Sequence, residues 1–340
     1  MLATVLAARV TTRAARTLPV VAAALDADEE TMSTLAVMAH YDPDGEFAPH
    51  AARNAVALTE VADRVLVIST ATLTDRARDA VPSGVELVTR LNTGYDFYGW
   101  KTGLDLAGYR DYDQVVICND SYVGPLVPYR TIFDTMAPRP VDFWGMTQTL
   151  RRAHHVQSYF VCFRSWVVRS AAMHRFWNAM VPVSDRSEVI RRYEIGLSAA
   201  LTSAGFALGS YFQEGPGDRR LARARHVWWA ANAVRLRPPG HRLAAARTMP
   251  RENWNPMAAL ADRALDGARL PLLKLDTLRY DPYRLGADHL LDRAERQYPE
   301  QMAGVREFLA RTSRGYVPRA MEIGSHQGPT PTLVRATLGY

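Results

Sequence analysis

Lysine is almost missing from this sequence: in 340 residues it stands only at positions 101 and 274. The positive excess, 41 basic against 35 acidic residues for a net charge of +6, is carried by arginine. That balance suits anionic partners such as nucleotide diphosphates or anionic lipid surfaces. Cysteine occurs twice, and Cys118 and Cys162 both lie in apolar runs and read as small core residues. This excludes a disulfide framework and fits a reducing cytoplasm. No run of about 18 apolar residues exists, so no membrane-spanning helix is expected. Zinc-finger spacing and nucleic-acid motifs are missing, which sets nucleic acid aside as a partner. No Gly-x-Gly-x-x-Gly follows the first strand-like segment, which disfavours an NAD-type oxidoreductase. Internal repeats and low-complexity linkers are also lacking.

What is present supports a full core, since 48% of the residues are hydrophobic. The first 33 residues carry Arg9, Arg13 and Arg16, then a short apolar piece from Leu18 to Leu25, then Asp26, Asp28, Glu29 and Glu30. The apolar piece is short and holds Pro19, so a mobile or loosely helical arm that could touch a membrane is expected rather than a signal peptide. From residue 34 onward, strand-like and helical segments alternate. Thr34 to Asp42, Arg64 to Thr70 and Val85 to Leu91 read as strands; Pro49 to Val61 and Thr74 to Ala80 read as helices. Continuous apolar runs without strict alternation point to an α/β fold with a mostly parallel sheet covered on both faces.

The most informative stretch is Gln114 to Pro125. Four apolar residues, Val115 to Cys118, give way at once to Asn119, Asp120 and Ser121, and the segment breaks at Gly124-Pro125. Ligands of open α/β sheets sit just beyond the carboxyl ends of strands. A carboxylate at that place can hold a hard divalent cation, and the cation a diphosphate. The same residues also make ordinary turns, so the neighbouring segments decide. Asn92 to Lys101 sets two glycines and short polar residues at a helix start. That is a natural anion site, to which Lys101 adds a charge suited to phosphate. Asp142 and Trp144 alternate along the strand Val141 to Thr147 and would offer a sugar an acid and an indole face. Val156 to Arg164 reads as a strand bringing polar Gln157 and Ser158 to the pocket side, with Arg151, Arg152, His154 and His155 ahead of it. Glu194 lies among apolar neighbours in the amphipathic stretch Arg186 to Ala204, where a carboxyl would have a raised pKa and serve as a general base or acid. Phe206 to Phe212 reads as a last strand and Gln213 to Asp218 as a candidate lid. The basic stretch Arg219 to Arg247, with Trp228 and Trp229, either lies on an anionic membrane, contacts a long acceptor, or is a surface helix with buried tryptophans.

In collinear order over roughly residues 34 to 290, these segments resemble the rhamnan synthesis protein F family of bacterial glycosyltransferases. The resemblance is carried by Ala39-His40-Tyr41-Asp42, Gly94-Tyr95-Asp96-Phe97-Tyr98-Gly99-Trp100-Lys101, Cys118-Asn119-Asp120-Ser121 with Gly124-Pro125, and Asp142-Phe143-Trp144-Gly145. It continues through His155-Val156-Gln157-Ser158-Tyr159-Phe160, Tyr193-Glu194-Ile195-Gly196-Leu197, and Leu270-Pro271-Leu272-Leu273-Lys274 with Asp281-Pro282-Tyr283. It implies a GT-A-like nucleotide-diphospho-sugar fold; the chain itself reads as one such domain over residues 34–218 with a basic helical extension over 219–340. It implies transfer of a deoxyhexose, L-rhamnose from dTDP-rhamnose, to a polysaccharide or glycolipid in the cytoplasm or at the inner membrane face.

The Asp-any-Asp motif of such folds reads Asn119-Asp120-Ser121 here. Mg²⁺ or Mn²⁺ would therefore rest on Asp120 with waters, or basic residues would replace the ion. His40, Tyr41 and Asp42 would hold the nucleoside. Tyr95, Asp96, Gly99, Trp100, Lys101, Asn119 and Ser121 would form the rest of the donor site, and Glu194 or Asp142 would be the base of an inverting displacement. A UDP-hexose or GDP-sugar donor is the nearest rival, and a non-catalytic glycan-binding component of a polysaccharide machine is the rival of another class.

Overall fold

The computed structural model describes residues 32–235 and 237–313. The arm expected over residues 1–33 lies outside them except for its last two residues, as does the extension beyond residue 313. Among the described residues eleven strands follow in chain order: β1 (Thr34–His40), β2 (Arg64–Ser69), β3 (Val85–Thr89), β4 (Gln114–Asn119), β5 (Tyr122–Val123), β6 (Phe143–Gly145), β7 (Gln148–Thr149), β8 (His155–Val156), β9 (Phe160–Arg164), β10 (Leu208–Ser210) and β11 (Leu273–Lys274). Seven of them form one sheet in the order β10-β6-β9-β4-β1-β2-β3. All run the same way except β9, which is antiparallel to both β4 and β6.

The unbroken apolar runs have the expected cause: both faces of the sheet are covered. Alternate residues of each strand feed two cores, because successive side chains point to opposite faces. Ala36, Met38, Val65, Val67, Val116 and Cys118 join one core, with the helices Pro49–Leu58, Tyr129–Met136 and Pro216–Arg235. Leu35, Val37, Ala39, Leu66, Ile68, Val115 and Ile117 join the other, with the helices Tyr95–Ala107, Ala171–Asn178 and Ile195–Ser203. The helical C-terminal region does not build a core of its own. Trp229, Leu260, Leu291 and Phe308 belong to the same cluster as Met38 and Cys118. Among the described residues no helix is long and apolar enough to cross a membrane.

Two expected elements are broken. Gln157 and Ser158 leave the ladder in a turn between β8 and β9. The amphipathic helix from Arg186 is interrupted by a π turn, Ile190–Glu194.

The helix Tyr95–Ala107 lies close on β1 and β2 because Gly99 and Gly103 face the sheet. A Cβ at Gly103 would collide with Val37 Cγ1 and stand 3.0 Å from Ile68 Cγ1, whereas one at Gly99 would meet Ala39 Cβ at an ordinary 3.7 Å. Gly103→Val should therefore cost about 1–3 kcal/mol in urea unfolding, as overpacked cores do. Gly99→Ala should be neutral or slightly stabilising, since alanine favours the helix by about 1 kcal/mol. Equal effects at the two positions would overturn this account of the packing.

Candidate functional site

The sheet order decides where a ligand can sit. From β1 the chain passes through the helix Pro49–Leu58 to β2 on one side, while β4, the other neighbour of β1, leads on toward β9 and β6. Adjacent parallel strands whose chains depart in opposite directions leave a crevice outside their carboxyl ends. His40 and Tyr41 lie there at the end of β1, and Asn119, Asp120 and Ser121 at the end of β4.

Asp120 forms the floor of the crevice, with 19% of its side chain open to solvent. Its Oδ2 accepts from the Tyr41 backbone amide at 2.9 Å and lies 3.9 Å from His40 Nε2. Its backbone oxygen accepts from His50 Nε2 at 3.0 Å. Burial pushes the Asp120 carboxyl up to about 8, and the charges of Asp96 and Asp42 add to that. His40 is pushed down to about 4 by burial, so at neutral pH it is an uncharged wall, sharing a hydrogen bond with Ser69 Oγ at 2.9 Å. Tyr41 leaves its ring exposed above this floor.

Asn119 ties two elements together. Its Nδ2 donates to Asp96 Oδ2 at 2.8 Å, and its Oδ1 accepts from the Ser121 amide at 3.2 Å and the Ser121 hydroxyl at 2.7 Å. Asp96 belongs to the first turn of the helix Tyr95–Ala107, entered through left-handed backbone at Gly94 (φ 74°) and Tyr95 (φ 54°). A non-glycine residue held there costs of order 1 kcal/mol, and such residues gather at functional sites. The exposed Tyr95 ring reaches Ser184, to whose backbone oxygen its hydroxyl donates at 3.2 Å. Burial raises the Asp96 carboxyl, and the Glu194 charge adds to it, against the pull of Asn119, Lys274 and Arg186.

Glu194 closes the π turn, a deviation from α-helical winding that recurs at functional sites. Its Oε2 accepts from Ser158 Oγ at 2.5 Å, and its Oε1 faces His155 Nε2 at 3.4 Å. His155 Nδ1 donates to the Ala153 backbone oxygen at 2.8 Å, which leaves Nε2 as the ring nitrogen that faces the carboxylate. Burial works to raise the Glu194 carboxyl, but His155, Ser158 and Lys274 outweigh it and hold it below the ordinary glutamate value. This reverses the expectation of a raised pKa. Tyr193 faces the core, whereas the carboxylate itself meets donors and cations.

Lys274 is the site residue that the sequence reading passed over. It arrives because β11 pairs with β5, Lys274 opposite Tyr122, and the Leu275 amide donates to the Ser121 oxygen at 3.0 Å. Its Nζ stands 5.2 Å from the centre of the Tyr159 ring. Its charge acts on both Asp96 and Glu194. The sequence held a signal for this: only two lysines exist, and Lys101 has an acid four residues on, at Asp105.

Other expected site residues take different roles. Lys101 Nζ pairs with Asp105 at 2.8 Å, further along its own helix, rather than with Asp120 or Asp96. Asp42 is buried with both oxygens engaged by Arg311, at 2.9 and 2.6 Å, and by the amides of Asp44 and Glu46, so it anchors the C-terminal helix Val305–Thr312 and does not face a nucleoside. Gly99 serves helix packing, and Trp100 is fully buried with its Nε1 donating to the Cys118 backbone oxygen at 2.6 Å.

Asp142 lies at the opposite end of the sheet. Its backbone oxygen accepts from the Arg164 amide, and Arg164 is paired with Gln114, the first residue of β4. Its side chain accepts from Trp166 Nε1 at 2.7 Å and from the Ala207 amide at 2.6 Å, which is a structural cap. An acid that precedes a strand in a parallel sheet falls at the amino end, away from the ligand crevice, and that signal was available in the sequence.

Comparison with known proteins gives a family and several distant likenesses. The family described as rhamnan synthesis protein F matches residues 65–237. The uncharacterized protein y4gN of Sinorhizobium fredii (strain NBRC 101917 / NGR234) is 26% identical over 155 residues, 44% of this chain and 40% of that protein. The chain thus spans about two fifths of the length of this curated relative. Among solved structures, S. aureus TarS 1–349 in complex with UDP-GlcNAc is 10% identical, covers 85% of this chain and 93% of its own, and has a TM-score of 0.33. The 4-diphosphocytidyl-2C-methyl-D-erythritol synthase of Anaerococcus prevotii is 12% identical, covering 48% and 82%, with a TM-score of 0.32.

Proposed function

The chain belongs to the rhamnan synthesis protein F family, and from that premise we propose that its crevice is the donor site of a GT-A-like, inverting glycosyltransferase. The donor is a nucleotide sugar, L-rhamnose on dTDP, and the acceptor is a hydroxyl of a cell-surface polysaccharide or glycolipid. The observation that carries the reading is an ionised base, Glu194, sharing one crevice with a lysine, Lys274, and with the acids of a topological switch point.

In this reading the acceptor hydroxyl attacks the anomeric carbon on the face opposite the diphosphate. The new glycosidic bond forms as the carbon–oxygen bond to the diphosphate breaks, and that electron pair leaves with the diphosphate. The hydroxyl proton passes to Glu194, with His155 Nε2 beside it. Lys274 and Arg186 supply positive charge against the diphosphate negative charge as it develops. Tyr41 offers an exposed ring for the base of the nucleoside.

The donor set also fits a divalent cation of the kind that keeps waters and takes one or two carboxylates together with substrate phosphates. Burial raises the carboxyls of both Asp120 and Asp96, and a bound cation would favour the ionised form that burial opposes. Among the described residues no three His, Cys, Asp or Glu side chains converge to hold an ion unaided. Mg²⁺ or Mn²⁺ on Asp120 would neutralise diphosphate charge.

Thermal-shift titration with dTDP-, UDP- and GDP-sugars, with and without Mn²⁺, tests the reading. A ligand at 100 times its Kd stabilises the fold by about 2.7 kcal/mol, so dTDP-rhamnose should raise the melting temperature clearly. A melting temperature indifferent to every sugar nucleotide would sink the proposal. The lysines give a sharper comparison: Lys274→Met should lower transfer at least tenfold, about 1.4 kcal/mol of charge stabilisation, while Lys101→Met should leave it within about twofold, as expected of a surface i,i+4 pair. The reverse ranking would return the donor site to the start of the helix Tyr95–Ala107.

A further inference from the structure

The positive charge of this chain is concentrated in one place. Residues 219–251 contain nine arginines and no aspartate or glutamate, and without those nine the net charge of +6 becomes −3. The helix Pro216–Arg235 is cleanly divided. Asp218, Ala222, Arg225, His226, Trp229, Ala230 and Ala233 form its buried stripe, while Arg219, Arg220, Arg223, Val227 and Arg235 face solvent. The helix Pro239–Thr248 buries none of its residues and presents Arg242, Leu243 and Arg247 outward. The carboxylates of this region go to other arginines: Asp262 to Arg225, Asp218 to Arg263 and Arg269, Glu252 to Arg151. Exposed apolar side chains stand among the charges: Leu243 is 65% exposed, Val227 43% and, beyond Arg151, Leu150 59%. Arg151 carries the surface across, its guanidinium 5.8 Å from the centre of the Trp229 ring.

We propose that this arginine-rich face docks the protein on an anionic lipid bilayer. A second copy of the chain would bring like charges together, which disfavours self-association through this face. A soluble polyanion would satisfy the arginines but leave Val227, Leu243 and Leu150 in water. The interface of a bilayer takes up both, with cationic side chains at the headgroups and apolar ones at the acyl boundary. The sequence signature is that of a surface helix: a strongly basic outer face, no acid, and apolar residues spaced among the charges. The proposal does not depend on what the crevice catalyses.

The test is co-sedimentation of the full chain with phosphatidylcholine vesicles and with vesicles that also contain phosphatidylglycerol. Binding should require phosphatidylglycerol and fade as salt shortens the screening length. Each arginine near an anionic surface contributes about fivefold in partitioning, so the triple variant Arg235→Gln, Arg242→Gln, Arg247→Gln should partition roughly a hundredfold less. Leu243→Gln, which removes the apolar side chain without changing the charge, should weaken vesicle binding further and leave binding to polyphosphate unchanged. All four positions are exposed, so the melting temperature should not move, which separates lost docking from lost folding. If the triple variant binds vesicles as well as the unchanged chain, another segment does the docking and the proposal is wrong. If the chain binds polyphosphate but ignores phosphatidylglycerol vesicles, the face serves a soluble polyanion instead. The melting shift with sugar nucleotide should be the same in all variants, so failure here leaves the reading of the crevice intact.

Discussion

Glu194→Gln should yield a folded protein that still takes up sugar nucleotide and transfers sugar about 10²–10⁴-fold more slowly, the range that a positioned base contributes. That loss is about 2.7–5.5 kcal/mol of barrier. The amide is the same shape as the carboxylate and keeps the local network satisfied. Its oxygen accepts from Ser158 Oγ as Oε2 does now, and its NH₂ can donate to His155 Nε2, because His155 Nδ1 already donates to Ala153. What it cannot do is accept a proton. The pH profile provides a second reading. The folded Glu194 carboxyl lies below its ordinary 4.5, so the base is ionised at neutral pH and transfer falls only as pH drops through that lower value. A depressed carboxylate also adds stability that is present above pH 4.5 and lost below it, and the glutamine variant should lack this contribution. Asp142→Asn is the control. It disturbs the cap on Trp166 and Ala207 and should cost about 0.5–1.5 kcal/mol of stability, as a lost hydrogen bond does, while turnover of the folded fraction holds. Retained activity in Glu194→Gln, with loss in Asp142→Asn, would invert the assignment.

Asp262→Ala should cost about 3–5 kcal/mol of unfolding free energy, the loss seen when one partner of a buried ion pair is removed. Arg225 is fully buried. Its guanidinium donates to Asp262 Oδ1 at 2.8 Å and Oδ2 at 3.0 Å, and to the Ala259 backbone oxygen at 2.6 Å. Without Asp262 the buried cation loses the carboxylate that faces it. Replacing both, Arg225→Met with Asp262→Ala, removes that cation and should recover most of the loss. Guanidinium titration monitored by tryptophan fluorescence checks both figures. One transition is expected in every variant, because the C-terminal helices and the sheet share a core. A second, separate transition would mean that the helices fold as a unit of their own.

Much of the fold was legible because its strands are short apolar runs without helical spacing. β1, β2 and β4 are buried on both faces, and such runs leave little choice. Asp120 was legible for a related reason: it comes directly after β4, and a parallel sheet presents the residues at the carboxyl ends of its strands to ligand. The hidden features depend on contacts between distant parts of the chain. The engagement of Asp42 by Arg311 spans 269 residues, and nothing local marks Asp42 as taken. The arrival of Lys274 rests on two strands of two residues each, too short to read from a pattern. The π turn before Glu194 shifts the facing of that residue against the 3.6-residue count, so the pattern located the carboxylate but gave it the wrong surroundings.

The late position of Lys274 and Arg311 in the chain has a consequence for biosynthesis. While the ribosome is still within the first 270 residues, the strand tips and Glu194 already exist but the lysine that faces them does not, and Asp42 still awaits its arginine. The crevice is therefore unfinished on every nascent chain. Competence comes as one late event, when the tail folds back and sets its lysine beside the acids made first.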